Sequence, residues 1–157
     1  MPGVSAKEFD ALTRLWFYVF VQRVFAELNP GRQFHANGHI ELICAEMEAL
    51  FRGDSRRLIV NVPPRNLKSM IISVAFTAWV LGLDPTKRFL IVSYGQDLAQ
   101  KFARDILRVM RSSWYRRLFP GARIDPAQGR FDDFRTTRNG GVKVESIQGG
   151  VTGFGAD

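Results

Sequence analysis

Lys68 and Ser69 close the segment Val62-Pro63-Pro64-Arg65-Asn66-Leu67-Lys68-Ser69, which lies between an apolar, β-branched run and a second run that is apolar nearly all round. A lysine and a hydroxyl residue at a strand-to-helix turn are the side chains a phosphate-binding loop needs. The turn and the positive helix end present backbone amides to the anion, the ammonium reaches the outer phosphates, and the hydroxyl can ligate Mg²⁺. The spacing departs from G-x-x-x-x-G-K-[ST], because Val62 stands at the first glycine position and Leu67 at the second. Pro63 and Pro64 have no N–H to donate, so any cradle must come from the amides of residues 65–69. On spacing alone, a basic surface turn fits as well as a nucleotide site.

The other chemistry-bearing residues are less organised. Hydrolysis at such a loop requires a carboxylate at the end of an apolar strand. RLIVNV (57–62) instead runs into Pro63, and RFLIVSY (88–94) into Gly95. Asp132 and Asp133 follow Arg130 and Phe131 rather than a buried strand, which reads as a solvated turn. His35 and His39 flank a helix start with no third ligand type nearby, so no metal site is expected there. Cys44 is the only cysteine, which excludes an internal disulfide and any CxxC site. Lys101, Arg104, Arg108 and Arg111 recur at helical spacing, with Arg116 and Arg117 just beyond. Such a stripe could track a nucleic-acid backbone, but Asp97 and Asp105 at i, i+4 from Lys101 favour a solvated, ion-paired face.

The elements that must position these residues follow from pattern. Ser5 and Glu8 form a capping box, opening a helix expected to run to about residue 28 with Leu12, Leu15, Trp16, Val19, Phe20 and Val24 inward and Asn29-Pro30-Gly31 as its stop. Asn37 caps a second helix reaching about residue 52, with Ile40, Ile43, Cys44, Met47, Leu50 and Phe51 along one stripe. Residues 57–62 read as a buried strand, 69–81 as a helix buried on most faces, 88–94 as a second buried strand, and 96–111 as an amphipathic helix with Leu98, Phe102, Ile106, Val109 and Met110 inward. Residues 131–136 and 141–146 read as two short strands joined at Arg138-Asn139-Gly140. From Gly149 the chain is a glycine-rich loop with no closing element. The alternation predicts an α/β fold with a parallel sheet.

The 157 residues are 46% hydrophobic and 24% charged, a globular profile. Twenty-two Lys and Arg against 15 Asp and Glu give a net charge of +7, which suits a polyanionic partner. The early apolar run at 15–21 ends at Gln22 and Arg23, far short of the roughly 20 residues a membrane span needs. A cytoplasmic protein without a membrane partner is expected.

NVPPRNLKS (61–69), followed by an apolar helix, resembles the variant Walker A segment of phage terminase large subunits, in which a Pro-Pro-Arg-x-x-Lys-Ser run replaces the glycine-rich form. FLIVSYGQDLAQKFARD (89–105) is similar to that family's second strand and helix, and GGVTGFGAD (149–157) to the loop leading into its Walker B strand, although Phe154 departs from the polar or basic residue expected there. The likeness covers about residues 35–157. It implies a RecA-like P-loop NTPase parallel sheet, incomplete, preceded by two N-terminal helices. The expected division is an N-terminal helical segment (1–34) and the front half of an ATPase domain (35–157), with Walker B, the later strands and a nuclease domain lying beyond.

By the same resemblance ATP and Mg²⁺ are the cofactors, bound through Pro64, Arg65, Asn66, Leu67, Lys68 and Ser69. Lys68 would hold phosphate, Ser69 would ligate Mg²⁺ through its hydroxyl, and Arg65 would contact the γ-phosphate. Phe34 and His39 fall where the family places adenine-side contacts. The implied activity is ATP-driven translocation of double-stranded DNA into a procapsid in the host cytoplasm, within an oligomeric motor that includes the terminase small subunit and the portal protein. Little hydrolysis is expected from these residues alone. In RecA-like sheets 57–62 and 88–94 are not neighbours, so both would lack partners and the chain would be marginally stable. The alternative is a non-catalytic basic α/β module that binds nucleic acid or a protein, with PPRNLKS a mere turn; ATP affinity dependent on Lys68 separates the two.

Overall fold

The computed structural model describes residues 5–147 and 155–156, so the glycine-rich loop at 149–157 lies outside the described residues except for Gly155 and Ala156. The chain divides into two compact units, one running to Trp79 and one beginning at Val80. The sequence boundary at 34/35 does not coincide with this division.

The first unit is helical. Its capping box forms as expected: Glu8 N–H donates to Ser5 Oγ (3.3 Å) and Ser5 N–H to Glu8 Oε2 (2.7 Å). The single helix expected over residues 5–28 is instead two, α1 (Ala6–Leu15) and α2 (Phe17–Leu28), broken where Trp16 turns extended. The break is stabilised from outside: Phe17 N–H, orphaned at the start of α2, donates to the Glu48 carboxylate at 2.8 Å. Trp79 Nε1 also donates to the Arg14 carbonyl at 3.1 Å.

The break shifts the helical phase, so Leu15 and Trp16, expected inward, are exposed, while Thr13, Phe17, Phe20, Val21, Val24 and Phe25 are buried. The third helix, α3 (Gly38–Arg52), buries Ile40, Ile43, Cys44 and Met47 as expected and ends on Gly53 in the left-handed region (φ 84°). Burial, and then the charges of Glu48 and Glu41, push the Cys44 thiol up to about 12. Phe17 packs edge-on against Phe76 (5.6 Å between centroids) and tilted against Trp79 (5.3 Å), which also meets Phe51 (5.1 Å). The aromatic stripe of α2 is therefore core.

Residues 57–62 do not form the expected strand. They have no regular secondary structure and enter no sheet among the described residues, and Ile59 is 87% exposed. A β-branched run becomes a strand only when its backbone groups find a partner, and none of the described strands supplies one. The buried helix that follows begins at Lys68 with two helical residues. It continues as a wide π segment (Met70–Ala75), in which Phe76 N–H reaches the Ile71 carbonyl, and ends as α4 (Phe76–Leu83).

The second unit is a mixed α/β layer. β1 (Arg88–Ser93) leads into α5 (Gln96–Arg111) and α6 (Ser113–Leu118), then β2 (Ile124–Arg130), β3 (Asp133–Thr136) and β4 (Gly141–Ser146). The sheet order is β1-β4-β3-β2. Only β1 and β4 run parallel, in register from Arg88 opposite Gly141 to Ser93 opposite Ser146; the other pairs are antiparallel. The sheet is thus mixed, where a parallel one was expected, because β3 pairs antiparallel with both β4 and β2.

α5 packs on β1 and β4 and buries Phe102, Ile106, Val109 and Met110 as expected, while Leu98 is 44% exposed. β2, which carries Pro126 and a register shift, was not legible as a strand. Asp132 lies in a turn as expected but is not solvated there: it is only 9% exposed and takes both Nε and Nη2 of Arg130 at 3.2 Å. No helix of the described residues is long and apolar enough to cross a membrane.

Candidate functional site

The segment singled out by its chemistry also holds two of the positive-φ non-glycine residues among the described residues. Arg65 (φ 66°) and Leu67 (φ 58°) both occupy the left-handed region, with Asn66 between them at negative φ. For residues with a Cβ this conformation costs about 1–2 kcal/mol each. A left-handed residue beside a right-handed one can turn successive amides toward one side, the anion-binding concavity called a nest. Leu67, at the second glycine position of the literal motif, therefore adopts the conformation for which glycine is normally selected.

Asn66 holds the loop in this shape. Its Nδ2 donates to the carbonyls of Pro63 (3.1 Å) and Pro64 (3.2 Å), so the proline carbonyls are tied back. The first intrahelical bond, Ile71 N–H to Leu67 O at 2.9 Å, follows at once. The amides of residues 68–70 lie ahead of it at the positive helix end. Residues 62–70 enclose a concavity of about 480 Å³, in the size range of ligand sites.

All six residues expected to bind, Pro64, Arg65, Asn66, Leu67, Lys68 and Ser69, line that concavity. Lys68 is half-buried at the first helical position, and Arg65 and Ser69 are exposed. The Ser69 hydroxyl could supply one oxygen to a Mg²⁺ ion, which would help neutralise bound phosphates. Among the described residues no three His, Cys, Asp or Glu side chains group to hold a metal on their own.

Phe34 and His39 do not line the concavity. Phe34 instead packs edge-on against Phe25 (5.3 Å) and Tyr18 (6.3 Å). His39, in the first turn of α3, has a buried Nε2 with no hydrogen-bond partner among the described residues. Asn66 was expected to bind; its role in shaping the loop was not foreseen, although a short amide side chain two and three residues after two prolines is the signal for such a turn.

The chain matches no protein-family model, no curated protein and no solved structure.

Proposed function

We propose that residues 62–70 bind the triphosphate of ATP as its Mg²⁺ complex, and that the chain is the ATP-binding portion of a terminase-like motor acting on double-stranded DNA. The observation that carries the nucleotide reading is the paired left-handed backbone at Arg65 and Leu67, set immediately before a helix start bearing Lys68 and Ser69. Such strain on non-glycine residues is retained where the surroundings impose it, and it recurs at ligand clamps. In this reading the amides of residues 65–70 face phosphate oxygens, the Lys68 ammonium pairs with the outer phosphates, Arg65 adds a guanidinium at the open side, and the Ser69 hydroxyl meets the cation.

The terminase assignment rests on the ordered likeness of residues 61–69, 89–105 and 149–157 to that family. It carries with it the RecA-like sheet, the small-subunit and portal partners and the oligomeric motor. The net charge of +7 suits the polyanion.

Calorimetric titration of ATP with Mg²⁺ into the full chain tests the nucleotide reading. Saturable binding is expected, weakened about tenfold or more by Lys68→Ala, which removes one charged contact to phosphate. Binding that is absent, or untouched by Lys68→Ala, overturns it and leaves the basic, non-catalytic module.

A further inference from the structure

In the second unit, three arginines converge on a cavity that the nucleotide reading does not use. Arg111 closes α5, Arg116 lies in the last turn of α6, and Arg123 follows on the approach to β2. With Ala122, Ile124 and Pro126 they line a concavity of about 270 Å³.

The other basic side chains around this unit's sheet and helix face are mostly paired. Lys101 pairs with Asp105, Arg130 with Asp132 and Lys143 with Glu145, while Arg104 lies over the Phe131 ring. Among the described residues no carboxylate pairs with Arg111, Arg116 or Arg123. Asp125, the acidic residue nearest in sequence, spends Oδ1 on the Ala127 amide (2.9 Å).

Basic residues near helix C-termini are often there to meet the last carbonyls. At the end of α5 the Val109 carbonyl already receives the Ser112 amide (3.1 Å) and hydroxyl (2.7 Å), and at the end of α6 the Tyr115 carbonyl receives the Phe119 amide (2.8 Å). Arg123 gives Nε to the Pro120 carbonyl (3.1 Å), which fixes its stem and leaves the Nη groups.

Three arginines that line one cavity, with no carboxylate partner among the described residues, give it a positive potential, and an anion in the cavity neutralises it. We infer that the Arg111, Arg116 and Arg123 cavity binds a phosphate group. A carboxylate has two oxygens and is satisfied by one bidentate arginine, whereas phosphate offers enough oxygens for three. The volume equals that of about nine waters, which holds a phosphate with its hydration but not a whole nucleotide. The source is therefore inorganic phosphate or a backbone phosphate of nucleic acid presented at the cavity mouth. This site is independent of the loop at 62–70 and stands or falls separately.

The test uses the full chain carrying Lys68→Ala, so that the loop does not contribute. Inorganic phosphate is titrated by calorimetry, and a fluorescein-labelled 12-base-pair duplex by anisotropy across a salt series. Arg116→Ala and Arg123→Ala are each expected to weaken one probe about tenfold. Loss for phosphate alone identifies the free ion. Loss for the duplex, with the log–log salt slope lowered by about 1 per arginine, identifies a backbone phosphate. Arg116→Lys keeps the charge without the fork and falls between. Arg104→Ala, on the same helix but outside the cavity, is the control. The inference is overturned if neither probe weakens more than about twofold, or if Arg104→Ala weakens binding as much as the cavity variants, which would mean diffuse surface charge.

Discussion

Two turns among the described residues hold non-glycine residues in the left-handed region, and they are built in opposite ways. In the hairpin between β3 and β4 the residue is Asn139 (φ 66°), a type that tolerates the conformation. Everything around it is bonded. Thr136 Oγ1 donates to the Pro85 carbonyl (2.5 Å) and accepts the amides of Gly140 (3.1 Å) and Arg138 (3.3 Å), while Gly141 N–H donates to Lys87 O (2.9 Å).

In the loop at 62–70 the residues are Arg65 and Leu67, which disfavour the conformation. They are held by one asparagine side chain and the helix that follows. The hairpin is shaped to be stable. The loop carries strain next to an open concavity, the combination on which the proposed phosphate site rests.

The contrast can be broken most severely on the hairpin side. A Cβ at Gly140 would overlap backbone, including the Lys87 carbonyl oxygen at 2.5 Å and the Thr86 carbonyl carbon at 2.7 Å, with the Pro85 carbonyl oxygen closer still. Because backbone cannot step aside, Gly140→Ala should cost about 3 kcal/mol of stability, read as a lower urea midpoint. A midpoint within error of the parent would mean that the hairpin gives way easily.

On the loop side, Leu67→Val places a β-branched residue at φ 58°, where its stiffer side chain adds to the strain leucine already carries, and should lower the urea midpoint further and weaken ATP binding about tenfold or more. Leu67→Gly should keep affinity within about twofold, since glycine adopts the conformation freely. If valine binds as well as leucine, the left-handed geometry is not what holds the phosphates. Asn66→Ala removes both ties to the proline carbonyls and should cost about 1 kcal/mol, with ATP affinity falling several-fold while the helix content seen by circular dichroism stays constant.

The smallest effect concerns the approach to the hairpin. Asp84 accepts from the Thr86 hydroxyl (2.5 Å) and amide (3.0 Å), and these bonds, the hydroxyl first, hold its carboxyl below the usual range. A depressed carboxylate contributes stability above its ordinary pKa of about 3.9 and loses it as pH falls through the lowered value. Thr86→Val should therefore destabilise by a few tenths of a kcal/mol at neutral pH, the site being solvent-exposed, and the difference from the parent should vanish in acid. A gap that persists at low pH would assign the effect to packing instead.

Much of this was legible because local chemistry decided it. The Ser5 and Glu8 box, the α5 face apart from Leu98 and the Asn139-Gly140 turn each rest on residues within a few positions of one another, and each formed. What failed depended on distant partners. Nothing between Leu12 and Val24 announces a break at Trp16, because the group that stabilises it, Glu48, comes from another helix. RLIVNV has the composition of a strand but no pairing neighbour among the described strands, and β2 is a strand that composition hides behind Pro126. The loop stands out in the sequence by the type and order of its residues. Its left-handed backbone was hidden because leucine stands where glycine would have signalled it.

The wide turn at Met70–Ala75 has a consequence for how side chains are aimed. An α-helix advances about 100° per residue, so its first turn and its buried stripe are normally locked to one angular clock. An added residue in a π turn resets that clock. Lys68 and Ser69 are therefore indexed separately from Phe76 and Trp79, and the bearing of the loop residues can be chosen without re-aiming the aromatic core. Deleting Ser73, which would let the segment relax to α geometry, should swing the Lys68 side chain by about 100° around the axis. The aromatic packing would stay in place, and ATP binding would be abolished in a protein that still folds.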